Sequence, residues 1–520
     1  MSPPILDFDK LRTPPSHGDT LVMPAPDRWL AAARENHESL AAAKTPLLDS
    51  TLGAWRRRTR ERLVGRDDSL VFVTGHQPDF IHPGVWAKHA VAMRAARAAL
   101  GVALNLVVDS DAPKRTALTV PMFDGGRLVL RPIPFAELRP GFTFEQIPRQ
   151  NREAVERFRD AVRLAIGERY DDSQMPTYFE AALCADAGKD WVDQALSGRQ
   201  AVERRLGVSI DDRRVSDAWC SPMLIDILVN AERFAECYNR ALADYRARYR
   251  VRGSQRPIPD LHRDANVCEA PAWIYRADEP RRRLFVAPDG GDLRLFADRA
   301  EVGVLPERHL RSCSQLKAVL TDLADWRIRP RALTLTIWAR LLLADLFIHG
   351  IGGAKYDRIS DSIIADYYGL APPHMACVSA TLHLGLSHNP QAPDDMLRRR
   401  RELRDLRFNP QRYACKGAGG DALLARRADA VRQAETLRRN RPGDRSARRA
   451  AFDRIRAINA ELLAAMPDRE PAFRARLAEA EDAAREALVA TNREWFFGLY
   501  DRARLDGLLA SLPREDEFRV

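Results

Sequence analysis

The sequence has few lysines, few cysteines and no long apolar run, and each shortage excludes a class of protein. Only 8 of its 82 basic residues are lysine. Its seven cysteines form no CxxC pair, so neither a disulfide framework nor a zinc ribbon is expected, and they lie at positions 184, 220, 237, 268, 313, 377 and 415. That usage fits a reducing, cytoplasmic compartment. No apolar run approaches the roughly 18 residues of a membrane span, and the N-terminus lacks the pattern of a secretory signal.

What is present is enough for several structural units. The chain has 520 residues, of which 45% are apolar and 30% are charged, so we expect about two to four globular units. The formal net charge is +10, and residues 396–449 alone hold 17 basic and 6 acidic residues. Subtracting that +11 from +10 leaves −1 for the rest of the chain. The basicity therefore belongs to one segment, and the remainder gives no reason to expect a nucleic-acid or membrane partner.

A strand–helix–strand pattern opens the predicted core. Ser69–Thr74 is a short β-rich run that ends at Gly75, and an amphipathic helical segment follows His82-Pro83-Gly84. Val102–Val108 is apolar almost throughout, as expected of a parallel strand that is buried on both faces. We therefore predict a β-α-β unit with a right-handed crossover.

The pattern also predicts where the chain divides. Residues 1–65 form a mostly helical N-terminal extension, with one helix over about 27–63. Residues 66–390 form a discontinuous α/β core with an insertion at about 150–304. That insertion is helical to about 250 and β from 266, with a turn at Pro288–Gly291.

The α/β pattern returns near residue 330. Arg331–Leu343 is predicted to be a helix, Asp345–His349 a buried strand, Gly350–Asp357 a glycine-rich loop and Ile359–Tyr368 a second helix. Residues 391–490 follow as Arg-rich helices typical of a coiled-coil arm. The aromatic-rich segment 491–520 is expected to dock back on the chain.

The first candidate site follows the first predicted strand. Ligands bind beyond the carboxyl ends of parallel strands, and a helix N-terminus offers free N–H groups to an anion. A histidine there can act in acid–base catalysis, although a plain strand-to-helix turn is the structural alternative. The candidate residues are His76 as a catalytic group and Thr74, Gly75, Gln77, His82 and Lys88 as binding groups.

The second candidate site follows the second strand. Asp109 and Asp111 are predicted catalytic carboxylates, and Lys114 is a binding residue close behind them. Alternate residues of an extended segment share a side, so both carboxylates are expected to face one ligand. The structural alternative is that one of them caps the next helix. No HxH or HExxH spacing supports a metal site.

The third candidate site is the glycine-rich segment. Its glycines permit a backbone nest for an anion, and a lysine adds a point charge, although the spacing is not that of a Walker A loop. The alternative is a tight turn between a strand and a helix. The candidates are Lys355 as a catalytic group and His349, Gly350, Gly352, Gly353, Tyr356 and Asp357 as binding groups.

The fourth candidate site lies in the insertion. Glu269 and Trp273, in the strand-like run Glu269–Arg276, can cover a polar ligand, although a tryptophan in a β run is more often part of the core. Cys268 and Cys377 lie near candidate segments, but no Cys–His signature accompanies either of them.

Two segments resemble the cysteine-adding enzymes of bacillithiol biosynthesis. The run VTGHQ…HPG…K…LNLVVDSD resembles the N-terminal part of that family, and RPRALTLTIWARLLLADLFIHGIGGAKYDRIS resembles its Arg-Pro element, helix, strand and Gly-Gly-rich turn. The helical arm after residue 396 is similar to the family's long C-terminal coiled coil. The similarity covers most of the chain in order, at the level of motifs, as for a divergent member.

The resemblance implies a Rossmann-like core related to nucleotidylyltransferases and a coiled-coil arm that forms a homodimer. It also implies a ligase that joins cysteine, as an amide, to the amino sugar of a glucosamine–malate glycoside. Gly75 and Gln77 match the family's first turn, where His76 replaces a glutamine. Asp109 and Asp111 match its acidic cluster, where Ser110 replaces a histidine, and Gly350, Gly352 and Gly353 match its Gly-rich turn; Lys355 has no clear equivalent.

The chemistry of amide formation fits these residues. It needs an activated acyl group or a base for the amine, and it needs stabilisation of developing negative charge. His76 with Asp109 or Asp111 can supply the former, and Lys355 with the glycine N–H groups the latter. The sequence leaves the cofactor open, with ATP or ADP as the candidate. The alternatives are nucleotidylyl transfer on a similar core and a scaffold that binds RNA or a partner through the Arg-rich arm.

Overall fold

The computed structural model describes residues 6–185, 188–218, 222–251, 258–264, 266–310, 323, 325–414 and 420–519. Cys220, Cys313 and Cys415 lie outside these residues. The chain divides into two compact units. The first unit contains Met1–Val120, Arg131–Leu382 and Arg493–Val520, and the second contains Pro121–Leu130 and His383–Asn492.

The strands are numbered in chain order through the described residues. They are β1 (Thr20–Met23), β2 (Pro46–Leu47), β3 (Ser50–Thr51), β4 (Val71–His76), β5 (Val102–Val107), β6 (Ala117–Asp124), β7 (Arg127–Pro134), β8 (Asp211–Arg214), β9 (Cys268–Tyr275), β10 (Arg282–Asp289), β11 (Asp292–Ala297), β12 (Ala300–Leu305), β13 (Arg327–Pro330), β14 (Leu346–His349) and β15 (Met375–Ala380).

The helices are numbered in the same way. They are α1 (Trp29–Ala41), α2 (Leu52–Val64), α3 (Pro83–Ala98), α4 (Arg152–Ile166), α5 (Arg169–Asp172), α6 (Met175–Leu183), α7 (Trp191–Arg205), α8 (Val215–Ala218), α9 (Pro222–Val229), α10 (Ala231–Arg248), α11 (Glu307–Leu310), α12 (Ala332–Trp338), α13 (Ile351–Tyr368), α14 (Ala392–Phe408), α15 (Gly420–Asn440), α16 (Arg445–Ala464), α17 (Arg469–Ala490) and α18 (Arg502–Ser511). A π-helical turn, Ala339–Leu343, continues α12.

The main sheet has six strands in the order β1-β15-β14-β4-β5-β8. Every neighbouring pair is parallel except β1 with β15. The chain runs outward from β4 to β5 and β8, then returns to place β14 and β15 on the other side of β4. A reversal of this kind opens a crevice at the carboxyl ends of the two strands where it occurs, which are β4 and β14.

The first strand–helix–strand unit is confirmed. Val71, Phe72 and Val73 of β4 are fully buried, as continuous apolar strands covered on both faces must be. His82 caps α3 by accepting a hydrogen bond from the Gly84 N–H, and Pro83 occupies the first helical position. The chain is therefore a mixed α/β protein whose main sheet is largely parallel.

A second, antiparallel sheet follows in the order β12-β11-β10-β9-β13. The turn between β10 and β11 is the predicted one, and Gly290 adopts φ +64° there, a conformation that favours glycine. The β interpretation of residues 266–304 is therefore confirmed.

Two features of the first unit differ from the sequence prediction. The single helix expected over 27–63 is wrong: α1 and α2 are separated by the small hairpin β2–β3, because Pro46 cannot continue a helix. β8 lies inside the predicted insertion but belongs to the main sheet. Its sequence, DDRR, is wholly charged, and it was missed because strand patterns rely on apolar residues.

In the described residues between Ala392 and Ala490, the second unit contains the helices α14, α15, α16 and α17. α14 packs against α17, and α15 packs against α16. Few side chains there are deeply buried, among them Leu406, Ile458 and Leu462. The helical prediction for this stretch holds, while a coiled coil and a dimer remain predictions. Within the described residues, no helix is both long and apolar enough to cross a membrane.

Candidate functional site

The carboxyl ends of β4 and β14 form the centre of the candidate site. We call residues 74–77 and 349–353 the carboxyl edge. Thr74 is fully buried and donates its hydroxyl to the Ile348 carbonyl at 3.0 Å, so it ties the two strands together. Gly75, His76 and Gln77 are half-buried. Thr74 therefore holds the edge together, and the next three residues lie where a ligand can approach.

Lys88 lies beneath this edge on α3. It is 3% exposed, and its Nζ donates to the Gly75 carbonyl at 2.9 Å. Burial lowers the pKa of its ammonium from 10.5 to about 8. A lysine held in this way places a positive charge near the edge while its own desolvation remains only partly compensated.

Two histidines with complementary tautomers lie at the edge. His76 Nδ1 is 3.0 Å from the Gln77 carbonyl, which can only accept, so Nδ1 carries the proton and Nε2 is an acceptor. His82 Nδ1 accepts from the Gly84 N–H at 3.1 Å, so its Nε2 carries the proton. Burial lowers the pKa of His76 to about 4 and that of His82 to about 3, and the Lys88 charge adds to both shifts. Both rings are therefore neutral at pH 7.

His349 ends β14 and belongs to a buried charged chain. Its Nε2 donates to Asp357 Oδ2 at 3.1 Å, and Arg340 Nη1 donates to the same oxygen at 2.6 Å. Burial opposes ionisation of Asp357, but Arg340 and His349 outweigh it and lower its pKa to about 2. The Asp357 carboxylate can only accept, so Nε2 of His349 carries a proton, and Nδ1 is the ring nitrogen that does not face it. A methyl group at Gly353 would lie 2.9 Å from that nitrogen, so glycine keeps it open.

The glycine-rich loop is wrong as predicted. α13 begins at Ile351, with Gly350 as its N-cap, so Gly352 and Gly353 lie in its first turn and form no backbone nest. The reason is that glycine is tolerated in a first turn, where N–H groups lack intrahelical partners. Lys355 and Tyr356 are exposed on the following turn. An anion at this edge would therefore meet a helix N-terminus rather than a nest.

An arginine from the C-terminal segment completes the edge. Arg493 Nη2 donates to Ser379 Oγ at 3.0 Å, and its Nε is buried with no hydrogen-bond partner among the described residues. A methyl group at Gly84 would lie 2.7 Å from Arg493 Nη2 and 2.6 Å from the Ala380 carbonyl. Only glycine allows the start of α3 to approach β15 and Arg493 so closely.

The two predicted carboxylates face different partners, so the expectation that both face one ligand is wrong. Asp109 is fully buried and accepts from Arg214 Nε at 2.7 Å and from the Ser216 N–H at 3.0 Å. The chain turns at residues 109–110, so the alternation of an extended strand no longer applies. Asp109 anchors Arg214, and its catalytic role remains only a prediction.

Asp111 faces a different set of partners. It accepts hydrogen bonds from Gln77 and Arg281, so it joins the carboxyl edge to the loop that follows β9. Lys114 is exposed nearby. Glu269 is 2% exposed and accepts from Arg331 at 2.6 Å. The predicted site residues therefore form two groups. The first lies at the carboxyl edge, the second contains Glu269 and Trp273, and the hydrogen bond between Gln77 and Asp111 connects them.

Trp273 and Glu269 belong to the second of these groups. Trp273 lines a cavity together with Asp111 and Arg331. Glu269 accepts a hydrogen bond from Arg331 but does not line that cavity. Cys377 is an improbable nucleophile, because burial raises the pKa of its thiol to about 12 despite the charge of Lys88.

Sequence reasoning missed the arginines that organise these groups. Arg340 is 1% exposed within the mostly apolar run LTIWARLLLADLF, and a charged residue in such a run is a usable signal for a buried ion pair. Arg281, Arg331 and Arg493 gave no such signal, because arginine is abundant throughout the chain.

No set of three or more His, Cys, Asp and Glu side chains is arranged to hold a metal ion in the described part of the chain. Comparison of the chain with protein-family models and with curated proteins gives no match.

Proposed function

We propose that the protein is a ligase-like enzyme that binds a nucleotide on a Rossmann-like core and forms an amide bond at the carboxyl edge. The observation that carries the proposal is the position of the edge. It lies where the strand order reverses, between β4 and β14, and this is where doubly wound sheets bind ligands. Counted along the chain, the five parallel strands lie in the order 3-2-1-4-5, which is the order of that fold class.

The donor set at the edge suits the phosphates of ATP or ADP. The α3 and α13 N-termini follow β4 and β14, and helix N-termini attract anions. Lys88 and Arg493 add two positive charges, and these four features would hold the phosphates. A bound nucleotide would supply activation of the acyl group.

The neutral histidines suit an amine substrate. His76 Nε2 can accept a hydrogen bond from the amine, and His82 Nε2–H can donate one to a developing oxyanion. The nearby Lys88 charge lowers the pKa of an amine bound beside it, which increases the fraction in the nucleophilic neutral form. His76, with a pKa of about 4, orients this amine rather than storing its proton.

The substrates are proposed from the sequence resemblance. They are cysteine and a glucosamine–malate glycoside, so the enzyme would act in low-molecular-weight thiol biosynthesis. The test incubates the purified protein with both compounds, with and without ATP, and measures the amide product by mass spectrometry. We expect product with the wild-type protein and at least a tenfold lower rate with His76→Ala.

His374→Ala is the matched control. His374 precedes β15 and bonds to Glu35 at 3.2 Å, so it lies at the opposite end of the strands, and its loss should leave the rate within about twofold. Absence of product under every condition would reject the ligase, and equal loss in both variants would reject the role of His76.

Nucleotidylyl transfer is the second candidate, because the same edge would bind the same phosphates. It predicts ATP–pyrophosphate exchange that depends on His76 and needs only one substrate. Lack of exchange with every acid or amine tried would reject adenylation and would leave the ligase proposal standing.

Several contacts bear on an RNA- or partner-binding scaffold. Arg400, Arg407 and Arg426 pair with Glu481, Glu470 and Glu461 at 2.9, 2.8 and 2.7 Å. Part of the charge of the arm is thus neutralised internally, which weakens that reading. Dimerisation through the arm remains our proposal, and light scattering should give twice the chain mass of 58.6 kDa.

A further inference from the structure

A cavity of about 240 Å³ lies beside Asp111 in the first unit. Its polar lining comes from Ser110 and Asp111 in the turn after β5, from Trp273 on β9 and from Arg281 and Arg331. Its apolar lining includes Val108, Ile258, Leu333 and Leu335. At about 30 Å³ per water the volume equals roughly eight waters, which is enough for a small organic molecule.

Two arginines stack on the tryptophan of this cavity. The guanidinium carbons of Arg281 and Arg331 lie 4.3 and 4.4 Å from the centre of the Trp273 ring. Such stacking fixes the planes of both guanidinium groups and leaves their edges for hydrogen bonding. The geometry is therefore preorganised, so little side-chain entropy is lost when a ligand binds.

The lining carries an excess of positive charge and of donors. Arg281 and Arg331 contribute two positive charges, and Asp111 contributes one negative charge that already accepts from Arg281 and Gln77. Glu269 pairs with Arg331 but does not line the cavity. The two guanidinium groups have more N–H donors than Asp111 and Glu269 use, so donors remain for an anion in the cavity.

Arg331 is the more deeply buried of the two arginines. Its side chain is 9% exposed, yet its Nε is buried without a hydrogen-bond partner among the described residues. Arg56, Arg60, Arg340 and Arg493 also leave their Nε atoms without a hydrogen-bond partner in the described part of the chain. The groups of Arg331 that can serve a ligand are therefore its charge and its terminal N–H groups.

We propose that this cavity binds a small organic carboxylate with an apolar body. The carboxylate would be held by Arg331 and by the free edge of Arg281, and the body would lie against Leu333 and Leu335. This inference does not rest on the proposed function, because it uses none of the groups at the carboxyl edge except the Gln77–Asp111 link.

The test uses sodium hexanoate, whose neutral counterpart hexanamide has the same apolar body. Calorimetric titration of the full chain should show binding of hexanoate at least tenfold tighter than binding of hexanamide. Inorganic phosphate serves as the anion without an apolar body and should bind at least tenfold more weakly than hexanoate. Equal affinities for hexanoate and hexanamide, or for hexanoate and phosphate, would overturn the proposal.

Two variants assign the binding to the cavity. Arg281→Gln should weaken hexanoate binding about tenfold, and Arg331→Lys, which keeps the charge but lacks the planar guanidinium, should weaken it severalfold. The control is Arg276→Gln, because Arg276 stacks on Trp326 at 4.5 Å in the same region but does not line the cavity. Its affinity should stay within twofold of the wild type.

The melting temperatures of the variants without ligand show whether a loss of binding comes from a loss of folding. If Arg281→Gln melts within a few degrees of the wild type and still binds hexanoate as tightly, the cavity is not the site and the proposal fails. If Arg281→Gln does not fold, Arg331→Lys alone decides between the two outcomes.

Discussion

The two ends of the same parallel strands are built in opposite ways. Asp345 stands immediately before β14, at what we call the amino edge, and His349 ends that strand at the carboxyl edge. At the amino edge one buried carboxylate, that of Asp345, accepts hydrogen bonds from several donors. At the carboxyl edge, neutral rings and a desolvated lysine lie beside the N-termini of α3 and α13.

The amino edge is closed by Asp345. Arg56 Nη2 lies 2.5 Å from its Oδ1, while Arg60 Nη1 and the Val71 N–H lie 2.9 and 2.6 Å from its Oδ2. His37 adds a contact at 3.1 Å. These donors outweigh burial and lower the pKa of Asp345 below its usual 3.8. The comparison teaches that the charge at the amino edge is neutralised within the fold, whereas the Lys88 charge at the carboxyl edge meets a carbonyl and no carboxylate among the described residues.

The largest expected effect is a loss of stability when the carboxylate at the amino edge is removed. Asp345→Asn leaves two buried arginines without their counterion, so the free energy of unfolding should fall by about 3–5 kcal/mol. Urea unfolding measures this. The control is Asp366→Asn, because Asp366 is 40% exposed in its pair with Arg240 and such pairs contribute about 0–1 kcal/mol. Similar losses in both variants would mean that Asp345 does not close the edge.

The two edges should separate on the pH axis. His76 and His82 have lower pKa values when folded than their ordinary 6.5, so the unfolded chain binds more protons between pH 6.5 and about 4. The free energy of unfolding should therefore decrease as the pH is lowered through that window, by up to about 1.4 kcal/mol per pH unit for each histidine. Asp345 has a lowered pKa, so its contribution is present above 3.8 and is lost only below it.

Urea unfolding between pH 7 and 3.5 checks this separation. His76→Gln should flatten the fall between pH 6.5 and 4.5, whereas Asp345→Asn should lower the curve without changing its slope there. An unchanged slope in His76→Gln would show that the carboxyl edge does not hold this ring neutral.

A smaller effect on stability is expected from Lys88→Met. Methionine preserves the length of the buried chain and removes a charge whose desolvation is unfavourable, so stability should change by no more than about 1 kcal/mol. Affinity for ADP, measured by calorimetry, should fall at least tenfold because the charge beneath the edge is lost. Unchanged affinity together with a large loss of stability would make Lys88 a structural residue.

The smallest effect is expected from Lys355→Ala. Its side chain is exposed, so unfolding should change by less than about 0.5 kcal/mol. ADP affinity should fall by about two- to fivefold, as for a solvated point charge. Lys44→Ala, at another exposed lysine, should leave the affinity unchanged, and an equal fall in both variants would remove Lys355 from the site.

Three of the six strands of the main sheet were predictable because they are mostly apolar. β4, β5 and β14 carry that signal within a few residues, and His82-Pro83 marks the start of α3. The glycine-rich segment was not predictable as a helix, because Gly350, Gly352 and Gly353 signal a loop locally. The apolar face of α13, with Ala354, Ile359 and Ile363 buried, overrides that local preference.

The candidate site was predictable only in part. The sequence placed His76 and His349 at strand ends, which follows from the strand pattern alone. It did not link Asp111 to Arg281, because 170 residues separate them and only the fold brings them together. Asp109 was misjudged because a turn of two residues reverses which side of the chain a carboxylate faces.

The carboxyl edge is completed by residues of the C-terminal segment, which is synthesised last. Phe497 stacks on Trp86 with ring centres 5.1 Å apart, and Phe518 packs edge-on against Trp29 at 5.3 Å. Arg493 also comes from this segment. During synthesis these partners are separated by some four hundred residues or more, so α3 emerges long before the aromatic rings that cover it. A ribosome-bound chain that stops before residue 493 should hold Trp86 in a more exposed setting, and the carboxyl edge would be the last part of the first unit to mature.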